Sequence, residues 1–141
     1  MEKYKKITIY TDGGSRGNPG PAAYGVVVKE NNTLIKELTE FLGVKTNNEA
    51  EYEGVLVALS WLLGQKEKIA FPVTLFSDST LVVNQLMGRF KIKQPHIAAY
   101  VLKVKKIEQS LLGKIMYTAI PREKNTEADF LVNKTLDSSI F

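Results

Sequence analysis

The sequence lacks cysteine and has a single histidine among its 141 residues. Disulfides and thiolate metal sites are therefore unavailable, and the composition is typical of a reducing compartment. No apolar run approaches the ~20 residues that a membrane span requires, and no apolar segment of signal-peptide type follows the charged N-terminus. We expect a cytoplasmic protein without a membrane partner, folded as one domain over residues 1–141.

The whole chain has a formal net charge of +4, and acidic side chains are absent from one of its segments. Positions 89–106 contain six basic residues and Phe90 but no acidic residue. This pattern favours a surface that faces phosphates, although a solvated helix face has the same composition. Lys91 and Lys93 are the candidates for contacts with nucleic-acid phosphates.

An alternating apolar run that includes Ile7 and Ile9 leads into a glycine-rich stretch over residues 12–20. We expect a strand over residues 5–12 that delivers the Asp12 carboxylate into a turn. The glycines of this turn would allow another polymer to lie against its backbone. P-loops and dinucleotide-binding turns lead into a helix, whereas the next run here is rich in β-forming residues. The acid is therefore expected to face a substrate.

Hydrophobic periodicity and turn residues predict the remaining elements. Four further strands are expected over residues 22–30, 34–42, 73–77 and 114–120, and four helices over residues 48–63, 79–87, 95–111 and 125–136. This order predicts an α/β fold with a five-stranded mixed sheet, in which two parallel strands join three antiparallel ones and helices flank the sheet. If the strand over residues 73–77 runs parallel to the first strand, Asp12 and Asp78 lie at neighbouring carboxyl ends.

Two further acids occur on the apolar faces of predicted helices. Glu51 is in line with Val55 and Leu62, and an unpaired buried carboxylate costs several kcal/mol unless a cation or hydrogen-bond donors compensate it. Asp129 precedes Val132 on the stripe of the last helix, in the first turn, where the helix dipole favours an acid. A salt bridge for Glu51 and a helix-dipole role for Asp129 are the structural alternatives to a functional site.

The predicted topology can bring four acids to one edge of the sheet: Asp12, Glu51, Asp78 and Asp129. Oxygen ligands without histidine or cysteine suit Mg²⁺ or Mn²⁺. Two such ions about 4 Å apart can activate a water molecule and stabilise the leaving oxygen in phosphodiester hydrolysis. A basic protein with such an acidic site indicates a nucleic-acid substrate.

The four acids lie in four sequence motifs, which cover residues 10–20, 46–51, 77–79 and 125–129. In content and order these motifs resemble those of the type 1 ribonuclease H family, which cuts the RNA strand of RNA–DNA hybrids. The resemblance implies a ribonuclease H-like fold and a hydrolase that leaves 5′-phosphate products. It also implies that the four acids bind two Mg²⁺ or Mn²⁺ ions with substrate and carry catalysis. RNA–DNA hybrid is the implied partner, and no obligatory protein partner is evident.

The same resemblance implies a set of substrate contacts. Asn18 and Asn47 would contact the RNA strand, whose 2′-hydroxyls distinguish it from DNA. Thr46 would help to hold a phosphate of the DNA strand. Gly13 and Asn48 belong to the same motifs and are further candidates for substrate binding.

The chain departs from the best-studied bacterial members, which carry a histidine in a loop before the last acid. Residues 120–125 contain no histidine, but Arg122 is a catalytic candidate that could hold the scissile or product phosphate. A surface cation is the alternative interpretation of Arg122. The basic arm that some members insert is short here, over residues 88–93. We expect His96 on the surface and Trp61 in the core.

These features predict a metal-dependent endoribonuclease, and two alternatives remain. A weakly active or inactive hybrid-binding module would suit the missing loop histidine, although all four acids are present. An ATPase or phosphotransferase on a similar topology would need a second lobe around its nucleotide, for which a chain of 141 residues is too short.

Overall fold

The computed structural model describes residues 4–139, so the predicted domain bounds of 1–141 extend beyond the described residues at both ends. Five strands form one sheet: β1 (Ile7–Ser15), β2 (Gly20–Glu30), β3 (Thr33–Lys45), β4 (Val73–Ser77) and β5 (Ile115–Ala119). Their order across the sheet is β3-β2-β1-β4-β5, in which the first three strands pair antiparallel and β4 and β5 are parallel to β1. The predicted mixed sheet is confirmed.

Four helices accompany the sheet: α1 (Asn47–Gly64), α2 (Thr80–Leu86), α3 (Pro95–Ser110) and α4 (Thr126–Ser139). Short 3-10 turns occupy Lys66–Lys68 and Arg122–Lys124. Among residues 4–139, none of the helices combines the length and apolar character needed to cross a membrane.

The two faces of the sheet are covered by different helices, because alternate residues of a strand point to opposite faces. On β2, Val26 and Val28 pack with Leu59 of α1 in the main core. Val27 packs instead with Leu131 of α4. Helices α1 and α4 therefore lie on opposite sides of the sheet, and both can contribute side chains at its edge.

The start of α1 has a strong N-terminal capping signal. Thr46 Oγ1 accepts the backbone N–H of Glu49 at 3.2 Å, and Glu49 Oε1 accepts the backbone N–H of Thr46 at 3.0 Å. This reciprocal pair is a capping box, which satisfies two donors at the helix start. The helix is therefore well defined one turn before Glu51.

The first strand is longer than predicted. Asp12 does not end β1, because the ladder to β2 continues through Gly13, opposite Tyr24, as far as Ser15. A Cβ atom on Gly13 would lie 2.3 Å from the carbonyl carbon of Ala50, so glycine is needed there to let α1 approach the strand. The expectation that another polymer lies against the glycine-rich stretch stays a prediction, and Gly13 also lines the cleft described below.

Two single residues occupy the environments predicted for them. Trp61 is half-buried and packs against the main core, with its ring centroid 6.1 Å from that of Tyr4. His96 is exposed near the start of α3. Neither residue lines the cleft described below.

Candidate active site

Three carboxylates converge at one end of the sheet. Thr11 of β1 pairs with Ser77 of β4 in parallel register, so the residues that follow them, Asp12 and Asp78, are neighbours. The approach of α1 to Gly13 adds Glu51 to this pair. One carboxylate oxygen from each of the three acids lies within 4.8 Å of the other two. The predicted meeting of Asp12 with Asp78 is therefore present in the structure.

The fourth predicted acid, Asp129, approaches from the other face of the sheet. It lies in the first turn of α4 and is half-buried. Among the described residues it is outside the group of three whose ligand atoms lie within 4.8 Å, but it lines the same cleft. Its charge also contributes to a raised pKa of Asp12.

Burial and like charge shift the protonation of the cluster. Asp12 and Glu51 are only 6% and 8% exposed. Burial, followed by the charge of Asp78, raises the pKa of Asp12 from 3.8 to about 8, although the Gly13 N–H donates to Asp12 Oδ1 at 2.9 Å and opposes the shift. Burial, followed by the charges of Asp12 and Asp78, also raises the pKa of Glu51 well above its usual range. Both acids are therefore unfavourably placed without a compensating cation.

No side-chain cation of the described part of the chain compensates these acids. The ion pairs among residues 4–139 involve Asp137, Glu127 and Glu108. Glu51 Oε2 is buried and accepts no hydrogen bond from the described residues. The salt-bridge interpretation of Glu51 is therefore not supported, and the all-oxygen donor set suits a hard divalent cation.

The carboxylates line a polar cleft of about 360 Å³. Of the other predicted site residues, Gly13, Asn47, Asn48 and Arg122 also line it. Arg122 is exposed on the short turn that precedes α4 and forms part of the cleft wall. This is a position from which its guanidinium can reach a phosphate in the cleft. Arg16 and Asn133 line the cleft too and were missed by the sequence analysis. The position of Asn133, four residues after Asp129 in α4, is the signal that could have found it.

Four predicted substrate contacts lie outside the cleft lining: Asn18, Thr46, Lys91 and Lys93. Asn18 Oδ1 accepts the backbone N–H of Asn47 at 3.0 Å, and Asn47 Oδ1 accepts the Ser15 N–H at 2.8 Å. These bonds fasten the turn after β1 to the start of α1. Thr46 serves the capping box, while Lys91 and Lys93 are exposed in the segment between α2 and α3. Their contacts with nucleic acid stay predictions.

Comparison with known proteins places this geometry in a family. A family model described as reverse transcriptase-like matches residues 10–135. LC11-RNase H1, which was isolated from compost by a metagenomic approach, has been solved in complex with an RNA/DNA hybrid. It is 38% identical, with a TM-score of 0.90, over 95% of this chain and 99% of that one. The chain belongs to the type 1 ribonuclease H family.

Other relatives from this family differ in length. RNase H1 from the halophilic archaeon Halobacterium salinarum is 32% identical, with a TM-score of 0.86, over 95% of this chain and 99% of that one. Bifunctional protein Rv2228c of Mycobacterium tuberculosis is 39% identical over 138 residues, which are 95% of this chain but 36% of that protein. The chain thus spans about a third of the length of the first curated relatives it matches, each at 36%. The ribonuclease H-like fold inferred from the motifs is confirmed.

Proposed function

We propose that this chain is an endoribonuclease that hydrolyses the RNA strand of RNA–DNA hybrids with divalent cations. The observation that carries the proposal is the convergence of Asp12, Glu51 and Asp78, with ligand oxygens within 4.8 Å and no ion-pair partner among the described residues. The substrate is supported by the RNA/DNA hybrid bound to LC11-RNase H1. A cleft of about 360 Å³ beside the acids gives access to a phosphodiester.

The metal ligands would be Asp12, Glu51, Asp78 and Asp129, and we propose that they hold two Mg²⁺ or Mn²⁺ ions when substrate is present. The oxygen-only donor set fits such ions, as does the buried Oε2 of Glu51, which has no hydrogen-bond partner within residues 4–139. When bound, the ions would supply Lewis-acid activation of the attacking water and charge stabilisation at the leaving oxygen.

The residues of the chain would hold and orient the reacting groups. The Gly13 N–H fixes one oxygen of Asp12 through its 2.9 Å hydrogen bond. Arg122, on the cleft wall, would hold the scissile or product phosphate. The water oxygen forms a new bond to phosphorus while the bond from phosphorus to O3′ breaks. The water loses a proton and O3′ gains one, which leaves a 5′-phosphate and a 3′-hydroxyl.

Contacts to both strands would align the hybrid. We propose that Asn18 and Asn47 contact the RNA strand with their side-chain amide groups, whose Nδ2 atoms make no hydrogen bond within residues 4–139. Asn48 and Gly13 line the cleft beside the acids. Thr46, at the N-terminus of α1, would help to hold a phosphate of the DNA strand, because the helix dipole and backbone donors favour an anion there.

A cleavage assay tests the proposal. The purified protein is incubated with matched RNA–DNA hybrid, duplex RNA and duplex DNA, each with Mg²⁺, with Mn²⁺ or with excess chelator. We expect cleavage of the RNA strand of the hybrid only when a divalent ion is present. Undiminished cleavage in excess chelator would contradict the metal mechanism.

One competing function has a specific observation in its favour. Residues 120–125 contain no histidine, which would suit a weakly active or inactive module that binds hybrids. In the same assay, tight binding of hybrid without cleavage under any metal condition would favour that module over the enzyme.

A further inference from the structure

One buried asparagine contacts the Asp78 carboxylate and the backbone beside Asp12 and at Asp129. Asn125 is 1% exposed and lies between the turn that carries Arg122 and helix α4. Its Nδ2 donates to the carbonyl oxygen of Thr11 at 2.8 Å, directly before Asp12, and to Asp78 Oδ2 at 3.4 Å. The backbone carbonyl oxygen of Asn125 accepts the N–H of Asp129 at 3.1 Å. Strands β1 and β4 and helix α4 are therefore joined at this residue.

The two acceptors at this position suit an asparagine side chain. A primary amide offers two N–H donors on a short side chain, whereas serine offers one and ionised aspartate none. The two acceptors also fix the orientation of the amide, because exchanging its O and N atoms would place Oδ1 of Asn125 against a carbonyl oxygen and a carboxylate.

Packing alone does not explain this side chain. Oδ1 of Asn125 is buried and accepts no hydrogen bond from the described residues. An unsatisfied buried oxygen lowers stability, so an apolar residue would suit a purely structural position better. The benefit of the asparagine must come from its two donors, one of which reaches a carboxylate of the candidate site.

We propose that Asn125 is a positioning residue that holds the Asp78 carboxylate beside Asp12, in the arrangement that binds the metal ion. The side chain of Asp78 is only half-buried, so its carboxylate can rotate away from Asp12 and Glu51. Donation from Nδ2 of Asn125 opposes that rotation and holds one carboxylate oxygen. This inference rests on the proposed function, since it assumes that the acids bind a divalent ion.

Calorimetric titration with Mn²⁺, without nucleic acid, tests the proposal. Partners that orient metal ligands typically change metal affinity 10- to 100-fold when they are removed, so we expect Asn125→Ala to weaken Mn²⁺ binding by at least about 10-fold. In an Asp78→Ala background the same exchange should change the affinity by less than about twofold, because the residue acts through Asp78. The matched control is Asn84→Ala, whose Nδ2 donates at 2.7 Å to the Thr80 carbonyl oxygen, away from the cleft.

The outcomes separate this inference from the proposed function. Unchanged Mn²⁺ affinity in Asn125→Ala, or an equal loss with and without Asp78, would overturn the positioning role. Absence of Mn²⁺ binding by the parent would instead overturn the proposed function.

A second measurement does not depend on whether Asn125 variants fold. In an NMR spectrum of the metal-free parent, the side-chain NH₂ resonances of Asn125 should exchange slowly with solvent. They should move in Asp78→Ala, while those of Asn84 stay in place. Asn125 resonances that are the same with and without the Asp78 carboxylate would overturn the proposal.

Discussion

Exchange of Asp12 for asparagine separates a metal-binding cluster from a structural one. The parent carboxyl is 6% exposed, and burial beside Asp78 raises its pKa from 3.8 to about 8 in the metal-free protein. At pH 7 the unfolded chain carries an ionised Asp12, whereas the folded chain binds a proton there. Folding is therefore coupled to the uptake of a proton by Asp12. At a pH above the unfolded pKa this uptake costs free energy, which lowers the stability of the parent.

The sign and size of the effect follow from the two pKa values. Between pH 3.8 and about 8 the native state binds more protons than the unfolded state, so stability falls as pH rises through that window. Since pH 7 is about 3 units above the unfolded value and each unit corresponds to about 1.4 kcal/mol, the penalty is roughly 4 kcal/mol. Asparagine does not ionise in either state, and its Oδ1 can still accept the N–H of Gly13. We expect the metal-free Asp12→Asn variant to be more stable by up to this amount.

Thermal melts in excess chelator provide the measurement. At about 2–4 °C per kcal/mol, the variant should melt several degrees above the parent at pH 7. The difference should vanish towards pH 3, below the unfolded pKa of 3.8, where both states of the parent are protonated. Added Mg²⁺ should stabilise the parent more than the variant, by about 2.7 kcal/mol at a concentration 100 times the Kd. Cleavage should be abolished.

The opposite result would refute the reasoning. If a cation of the chain compensated Asp12, removal of its charge would destabilise the protein by several kcal/mol at pH 7. A strongly destabilised variant that still cleaved hybrid would end the assignment of Asp12 to catalysis.

Two further exchanges test residues beyond the carboxylates. Arg122→Ala should lower kcat more than hybrid affinity, because a cation beside the phosphate contributes most when charge redistributes in the transition state. A loss of affinity with unchanged turnover would make Arg122 a binding contact only. Replacing both Lys91 and Lys93 with alanine should weaken hybrid binding and reduce the slope of log affinity against log salt by up to about two, one for each phosphate contact. The control is a double variant with Lys66→Ala and Lys68→Ala, whose slope should equal that of the parent. An equally unchanged slope in the Lys91 and Lys93 double variant would show that these two lysines make no phosphate contact.

Much of the fold could be predicted because its signals are local. Alternation marks β1, a proline opens α3, and the Thr46 and Glu49 pair marks the start of α1. The parallel pairing of β1 and β4 follows from the helical connection between strands, so the proximity of Asp12 and Asp78 could be inferred without coordinates. The buried position of Glu51 follows from helical spacing alone.

Other features depend on partners that are distant in the sequence. A glycine pair is typical of a turn, but Gly13 pairs with Tyr24 of β2 within a strand. Glycine is needed there because a Cβ atom would clash with the backbone of Ala50 in α1. An asparagine directly before a helix is typical of an N-cap residue. The neighbouring sequence does not indicate that the side chain of Asn125 instead reaches the carbonyl oxygen of Thr11. Sequence patterns indicate which secondary structure a segment forms and which of its faces is buried. The contacts of Gly13 and Asn125 depend instead on how the folded helices and strands pack together.

The residues that hold the acids together are not themselves acids. Gly13 admits α1, and thereby Glu51, to the end of β1, while Asn125 fastens Asp78 to the same strand. Burial of these carboxyl groups without a cation costs free energy, so packing and hydrogen bonds must hold the metal-free site in place. Loss of a ligand such as Asp12 should weaken metal binding and stabilise the metal-free protein. Loss of a holding contact should weaken both metal binding and stability, and this difference in sign distinguishes the two kinds of residue experimentally.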